Sequence, residues 1–172
     1  LQPLSTSQGT AGGGLGYAGI TPSLAVEFDT HNNTVDGIND MVQDHIAINK
    51  NGDVTSTGAN NLVVPQAVSN LEDGQYHTVT ISWNSQTNTL TVALAGETPI
   101  TYSGDIVSQI FNNNAGVYWG WTAATGNFVN EHRVKVNNID FTEDFSISTP
   151  TIVNATCSDA TDGSISIEVG GL

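Results

Sequence analysis

Alternation of apolar and polar residues with a period of two constrains the fold of this chain more than any other feature. Between residues 77 and 83, Val79, Ile81 and Trp83 alternate with threonine and serine, and residues 89–94 repeat the pattern after a short polar turn. A period of two places successive side chains on opposite faces of a β-strand. The two runs therefore predict an antiparallel hairpin whose strands each have one apolar face.

The same pattern recurs along the chain. It predicts further strands at residues 117–121, 133–136, 139–147 and 164–169, and a short helical turn fits only at residues 106–111. Half-apolar strands separated by Gly and Asn turns are typical of two packed antiparallel sheets, so we predict an all-β sandwich. The composition changes near Pro150, which predicts a first domain over residues 1–148 and the start of a second β-rich domain over residues 149–172.

The charge balance narrows the classes of partner. The chain has 17 acidic and 3 basic residues among 172, a net charge of −14. Nucleic acid is not expected as a partner because phosphate binding needs clustered Lys and Arg. Membrane insertion is not expected either, since no apolar run is long enough to span a bilayer. An acidic surface does suit divalent cations and neutral, hydroxyl-rich ligands.

The stretch SLAVEFDTHNN, residues 23–33, places two carboxylates on one side of a predicted strand. Alternation directs Val26 and Phe28 toward the core and directs Glu27 and Asp29 the other way. The next predicted strand begins at His45, and pairing of the two strands would bring that imidazole to the carboxylates. Two neighbouring carboxylates repel each other unless something positive lies between them.

The loop between these strands is rich in oxygen ligands, namely Asn33, Asp36, Asn39, Asp40 and Asp44. Calcium takes six to eight oxygen ligands, whereas an imidazole added to three carboxylates suits manganese or another transition ion. The spacing therefore indicates two adjacent metals that Asp29 and Asp40 can bridge. The alternative is a solvated acidic loop, because Asp and Asn also favour turns.

Three separated stretches resemble the L-type, or legume-type, lectins and in particular their bacterial branch. The first joins SLAVEFDTHNN to NDMVQDHIAINKNG, the second is LEDGQYHTVTISWNSQTNTLTVAL, and the third is GWTAATGNFVNEHRV. They correspond to the metal-binding segment of the family, its central hairpin, and its late signature strand with the loop that follows. The resemblance covers residues 1–147. It implies a concanavalin-like β-sandwich, or jelly roll, that binds sugars without altering them.

The resemblance also implies two metal sites. Calcium would be held by Asp29, Asn33, Asp40 and the backbone carbonyl of His31. Manganese or another transition metal would be held by Glu27, Asp29, Asp40 and His45. The chain departs from the family pattern in two ways: His31 stands where the family usually has an aromatic residue, and the loop before Asp40 is longer than in the plant proteins. The longer loop makes Asp36 a candidate substitute ligand.

Four residues are implied as sugar contacts. Asn33 would bind the sugar directly, and a backbone N–H in the run Gly12–Gly14, best supplied by Gly14, would donate to a sugar hydroxyl because close approach of the backbone needs a missing Cβ. Asn127 and Phe128 match the loop that selects among monosaccharides. Phe128 would either pack against a pyranose or fold back onto the core. Mannose- and glucose-type glycans are the partners to test first.

The resemblance extends to the surroundings of the domain. The family places a further sugar-binding Asp on a strand leading into the first residues here, so we expect that Asp and the N-terminal strands either to lie upstream of Leu1 or to come from another chain. The residues after Pro150 resemble the opening of short repeats in large surface adhesins of gliding, polysaccharide-degrading bacteria. Together these features predict a lectin module of a secreted or cell-surface adhesin.

Two other functions are alternatives to carbohydrate binding. Retaining glucanases share this sandwich and need two acids about 5 Å apart, carried on a strand with a Glu-x-Asp-x-x-Glu motif. Here Thr30, His31 and Asn32 follow Asp29, so the third acid of that motif is missing and catalysis is not expected. The other alternative is a structural or cell-adhesion module in which calcium only stiffens the loops.

Overall fold

The computed structural model describes residues 1–4, 7–33, 38–114, 116–141, 145–147, 151–153, 164–166 and 169–171. The chain divides into two compact units, Leu1–His132 and Arg133–Leu172. The domain boundary predicted after residue 148 stays a prediction. Asp36, the candidate substitute ligand, lies outside the described residues.

The first sheet of the first unit carries the stretch that the sequence singled out. Its strands lie in the antiparallel order β1-β2-β3 and comprise β1 (Leu24–Asp29), β2 (His45–Lys50) and β3 (Asn61–Ala67). In the register of β1 and β2, Asp29 lies opposite His45 and Val26 lies opposite Ile48. The alternation predicted for β1 is confirmed, because Val26 packs against the apolar core while Asp29 lies on the other face.

The second sheet contains the predicted hairpin. It comprises β4 (Val79–Asn84), β5 (Thr89–Leu94) and β6 (Ile100–Ser103), in the antiparallel order β4-β5-β6. The loop between β4 and β5 is closed by Asn84, whose side-chain oxygen accepts a hydrogen bond from the Thr87 N–H at 2.9 Å. Asn88 takes the left-handed conformation with φ 50°, which Asn tolerates better than most residues. The hairpin prediction is confirmed.

Helix is confined to two short pieces among the described residues, a 3-10 turn at Gly12–Gly14 and the helix α1 (Ile106–Gln109). The predicted helical turn is therefore confirmed. Asp105 caps α1, since its carboxylate accepts hydrogen bonds from the backbone N–H groups of Val107 and Ser108. No helix in the described part of the chain is long and apolar enough to cross a bilayer.

The two sheets of the first unit share one apolar core. Residues from both sheets and from the α1 region are buried there: Leu24, Ile46, Ile48, Leu90, Val92, Leu94, Ile100, Ile106, Ile110 and Phe111. Burial of these side chains is the main favourable contribution to folding. Antiparallel strands with almost no helix confirm the predicted all-β fold class.

Two predicted strands are absent from the described structure. Residues 117–121 contribute only an isolated bridge between Tyr118 and Gln2, and residues 133–136 are in no strand. A strand needs a hydrogen-bonded neighbour, and none of the described segments pairs with these residues beyond that bridge. Among the described residues of the predicted strand 139–147, which leave out 142–144, only Phe145–Ile147 forms a strand.

The second unit contains two small antiparallel pairs. Its strands are β7 (Phe145–Ile147), which pairs with β10 (Val169–Gly171), and β8 (Thr151–Val153), which pairs with β9 (Ser164–Ser166). The strand predicted to begin at Ser164 is observed as β9.

Val92→Ala should lower the free energy of unfolding by about 2 to 3 kcal/mol, because two buried methyl groups are lost and a cavity remains. Val92 is fully buried at the centre of β5, whereas Val64 in β3 is 83% exposed. Urea unfolding of Val92→Ala and of the matched control Val64→Ala measures the difference. Equal losses in the two variants would contradict this placement of the core.

Candidate functional site

The pairing of β1 with β2 brings three candidate metal-ligating side chains together at one end of the first sheet. Ligand atoms of Glu27, Asp29 and His45 all lie within 4.8 Å of one another. The three residues are only 4%, 5% and 1% exposed. Asp40 joins them from the loop before β2, with its Oδ1 at 3.1 Å from Nε2 of His45. Glu27, Asp29, Asp40 and His45 together form the acidic cluster.

The orientation of His45 is set by its other ring nitrogen. Nδ1 lies 3.2 Å from the carbonyl oxygen of Gln43, a distance at which the N–H of the neutral ring donates. Nε2 then carries a lone pair that faces the Asp40 carboxylate, and this buried atom has no hydrogen-bond partner among the described residues. Two acceptors this close repel each other, so the arrangement calls for a proton or a cation between them.

The carboxylates of Glu27 and Asp29 are both difficult to ionise in the metal-free protein. Burial raises the pKa of Glu27 to about 7, with a contribution from the charge of Asp29, although hydrogen bonds from Tyr17 and Asn49 act against the shift. Burial also raises the pKa of Asp29, and the neighbouring Asp40 raises it further. Taking a carboxylate out of water disfavours its charged form.

The pKa values of Asp40 and His45 shift in the directions expected for an ion pair. Burial by itself would raise the pKa of Asp40, but His45, Ser56 and the backbone N–H of Asn33 outweigh it, so that the pKa is lowered. Burial by itself would lower the pKa of His45, but Asp40 and the Gln43 carbonyl outweigh it, so that the pKa is raised. A proton on Nε2 therefore stabilises the metal-free cluster in part.

The donor set of the acidic cluster fits a divalent cation. Three carboxylates and one imidazole are grouped, buried and short of positive charge, and the unpartnered Nε2 of His45 points at them. Oxygen ligands with one nitrogen suit manganese and related ions, whereas an all-oxygen set suits calcium. The residues predicted as the transition-metal ligands, Glu27, Asp29, Asp40 and His45, are the ones that lie together.

The predicted calcium ligands lie at the end of β1 and on the loop that follows it. The backbone N–H of His31 donates to Oδ1 of Asp29 at 2.8 Å, and the backbone N–H of Asn33 donates to Oδ2 of Asp40 at 3.3 Å. Ser56 also donates to Asp40, at 3.1 Å. The two carboxylates predicted to bridge the metals therefore also hold the loop, and Asn33 is buried beside them.

The glycine-rich turn lies against Asn33. A Cβ placed on Gly13 would lie 3.4 Å from Nδ2 of Asn33, an ordinary contact distance, and 2.9 Å from Cδ1 of Ile38, so the turn passes close to both side chains. Gly14, predicted as the sugar-facing donor, is buried and its N–H donates to the carbonyl of Ala11 at 3.2 Å. Gly13 is thus the glycine that lies beside Asn33. The N–H of Gly14, by contrast, is already used in a hydrogen bond within the turn.

The predicted specificity loop, which carries Asn127 and Phe128, lies beside His31 and the glycine-rich turn. Phe128 is 73% exposed and its ring lies 5.2 Å from the His31 ring, centroid to centroid, so it does not fold back onto the core. A Cβ on Gly126 would lie 3.7 Å from Cα of Gly12, which places this loop beside the glycine-rich turn. Asn127 is exposed next to Phe128.

Two residues at Glu27 were not identified from the sequence. Tyr17 donates its hydroxyl proton to Oε2 of Glu27, and Nδ2 of Asn49 donates to the same oxygen at 2.9 Å. A signal existed for Asn49, which lies four residues after His45 on the same face of β2. Tyr17 carried no such signal, since its contact with Glu27 joins a loop to a strand.

The stability of the metal-free protein should fall as the pH rises from about 5 to about 8. The pKa values of Glu27, Asp29 and His45 are all raised on folding, so the folded chain binds more protons than the unfolded chain over this interval. Glu27 alone accounts for about 3 kcal/mol. Asp40 acts in the opposite sense but only below its ordinary value of 3.8, outside the interval. Urea unfolding in chelator at the two pH values provides the measurement, and a rise in stability would contradict the prediction.

Comparison with protein families agrees with this geometry. The family model described as the legume lectin beta-barrel domain matches residues 1–138. This domain is a non-catalytic carbohydrate-binding module, so the expectation that the chain is not an enzyme is confirmed, and carbohydrate binding is the general class of function that the match indicates. The chain therefore belongs to the L-type lectin domain family.

Proposed function

We propose that this chain is a calcium-dependent lectin module of a secreted or cell-surface adhesin, and that mannose- or glucose-type glycans are its ligands. In this proposal Asp29, Asn33, Asp40 and the carbonyl of His31 hold calcium, and Glu27, Asp29, Asp40 and His45 hold manganese or another transition metal. The sugar is bound without being altered.

The observation that carries the proposal is the position of Asn33. Its backbone N–H donates to Asp40 in the acidic cluster, while its side chain lies against Gly13. Asn33 thus joins the candidate metal ligands to the glycine-rich turn, where a backbone N–H can approach a sugar closely. An amide side chain at such a junction can offer its oxygen to a cation and its N–H₂ to a hydroxyl.

The proposed mechanism is preorganisation of the binding loop. Bound cations would neutralise the buried carboxylates and fix the loop that carries Asn33. The sugar then binds to a surface that is already ordered, which lowers the conformational entropy lost on binding. Asn33 and Gly13 supply polar contacts, and the exposed ring of Phe128 offers an apolar face for a pyranose. Asn127 beside it offers a further polar contact.

The adhesin context is proposed from the sequence after Pro150. Two small antiparallel strand pairs in the second unit are compatible with a further β-rich module. A net charge of −14 suits a protein exposed to divalent cations outside the cell.

Calcium and manganese together should raise the melting temperature by about 10–20 °C when each is present at about 100 times its dissociation constant. A ligand that binds only the folded state stabilises that state by mass action, and here it also removes repulsion between buried carboxylates. Differential scanning calorimetry with the two metals, and then with chelator, measures the shift. Retention on mannan and on a glucan resin, with and without chelator, measures sugar binding under the same conditions.

The variant Asp29→Asn tests the assignment of the metal ligands in this experiment. It keeps the size of the side chain but removes a charge shared by both proposed metal sites. It should lose the metal-dependent shift and the retention together. Metal stabilisation without retention on any glycan would favour the structural module over the lectin. No metal effect in the unsubstituted protein would overturn the proposal.

Phe128→Ala should change the preference among monosaccharides by about tenfold and leave the metal-dependent melting shift unchanged. The ring is exposed beside His31 and carries no ligand atom, so its loss removes only a stacking surface. A glycan array and calorimetric titration provide the two readouts. Tyr76→Ala, which removes a 65% exposed ring elsewhere, is the matched control. The same array profile for both variants would contradict a role for Phe128.

A further inference from the structure

A series of hydrogen-bonded polar side chains contacts one carboxylate oxygen of Glu27, Oε2. The Tyr17 hydroxyl and Nδ2 of Asn49 both donate to Oε2, and Nδ2 of Asn61 donates to Oδ1 of Asn49 at 2.8 Å. Tyr17 is 8% exposed and Asn49 is 1% exposed. The other oxygen of Glu27, Oε1, faces His45 with 3.8 Å to its Nε2. Oε2 of Glu27 therefore accepts hydrogen bonds from neutral donors, while Oε1 faces His45.

The direction of these hydrogen bonds is determined by the available protons. Oδ1 of Asn49 accepts from Asn61, which turns the Nδ2 group of Asn49 toward Tyr17 and Glu27. The Tyr17 oxygen accepts from Asn49 at 3.1 Å and has one proton to donate, which Glu27 accepts. The backbone carbonyl of Asp53, at 3.1 Å, is the other acceptor within reach of that proton.

Tyr17 also belongs to the loop that forms the glycine-rich turn. Its backbone N–H donates to the carbonyl of Gly14 at 3.0 Å, and the N–H of Ala18 donates to the same carbonyl at 2.9 Å. The same residue thus binds the turn through its backbone and Glu27 through its side chain. Gly13, which precedes Gly14 in this turn, lies against Asn33.

We propose that Tyr17 is a positioning residue that couples the binding of a divalent cation at Glu27, Asp29 and His45 to the conformation of the Gly12–Gly14 turn. Asn49 and Asn61 set the direction of its hydrogen bond. The inference rests on the proposed function, since it requires that the acidic cluster binds a cation. A coupling of this kind is reciprocal, so a ligand that orders the turn also raises the affinity for the cation.

Tyr17→Phe tests the coupling, because it removes the hydroxyl and keeps the buried ring. Mn²⁺ is the probe, with calorimetric titration for affinity and hydrogen exchange of residues 12–18 with and without Mn²⁺ for the turn. In the unsubstituted protein Mn²⁺ should slow exchange in this segment. In Tyr17→Phe the affinity for Mn²⁺ should fall about tenfold, as for other outer partners of ligating carboxylates, and the Mn²⁺-dependent slowing should disappear.

Tyr102→Phe is the matched control. It also loses one tyrosine hydrogen bond to a side-chain oxygen, that of Gln109 at 3.0 Å, but outside the acidic cluster. This variant should keep both the Mn²⁺ affinity and the slowing of exchange.

The outcomes separate the inference from the proposed function. If the unsubstituted protein binds no Mn²⁺, the coupling is overturned, and if its melting temperature also fails to respond to calcium and manganese, the proposed function is wrong as well. If Tyr17→Phe binds Mn²⁺ with unchanged affinity and shows the same slowing at residues 12–18, the coupling is overturned and the proposed function stands. Should Tyr17→Phe fail to fold, Asn61→Ala repeats the test, because Asn61 is the last member of the hydrogen-bonded series that leads to Glu27. Loss of the Mn²⁺-dependent slowing in Asn61→Ala supports the coupling, and retention of the slowing overturns it.

Discussion

The antiparallel register of β1 and β2 is the constraint on which the rest of the site depends. It sets Asp29 opposite His45 and keeps Glu27 on the same face two residues earlier. A shift of one residue would exchange the faces of every side chain, so that these carboxylates would meet the apolar core instead. Burial of Ile46 and Ile48 in that core opposes such a shift. The hydrophobic packing of the sheet thus maintains the geometry of its polar face.

Burying this polar face is costly, and the structure offsets the cost in two ways. Neutral donors from Tyr17 and Asn49 stabilise the ionised form of Glu27, and His45 does the same for Asp40. The pKa of Glu27 nevertheless remains raised, which means that these partners do not fully replace water. Under the proposed function, the same repulsion between buried carboxylates that destabilises the metal-free chain would favour binding of a cation, because the cation removes that repulsion.

Much of the fold followed from local sequence. The hairpin of β4 and β5, the short helix α1 and the alternation of β1 were all predictable, since each depends on a period or a turn within a few residues. The strands predicted at residues 117–121 and 133–136 were wrong for the complementary reason. An alternating pattern indicates that a segment can form a strand, but pairing depends on a neighbour that the segment itself does not specify.

The sequence by itself determined the class of fold and the candidate ligands, because strand periodicity and the spacing of Glu27, Asp29 and His45 are properties of neighbouring residues. Tertiary structure alone decided three things: that Gly13 lies beside Asn33, that the Phe128 ring contacts the His31 ring, and that the Tyr17 hydroxyl reaches Glu27. The first two join segments that are far apart in the sequence, and the third joins a loop to the strand that follows it. Contacts of this kind follow from how loops pack over the sheets, which no local pattern of residues encodes.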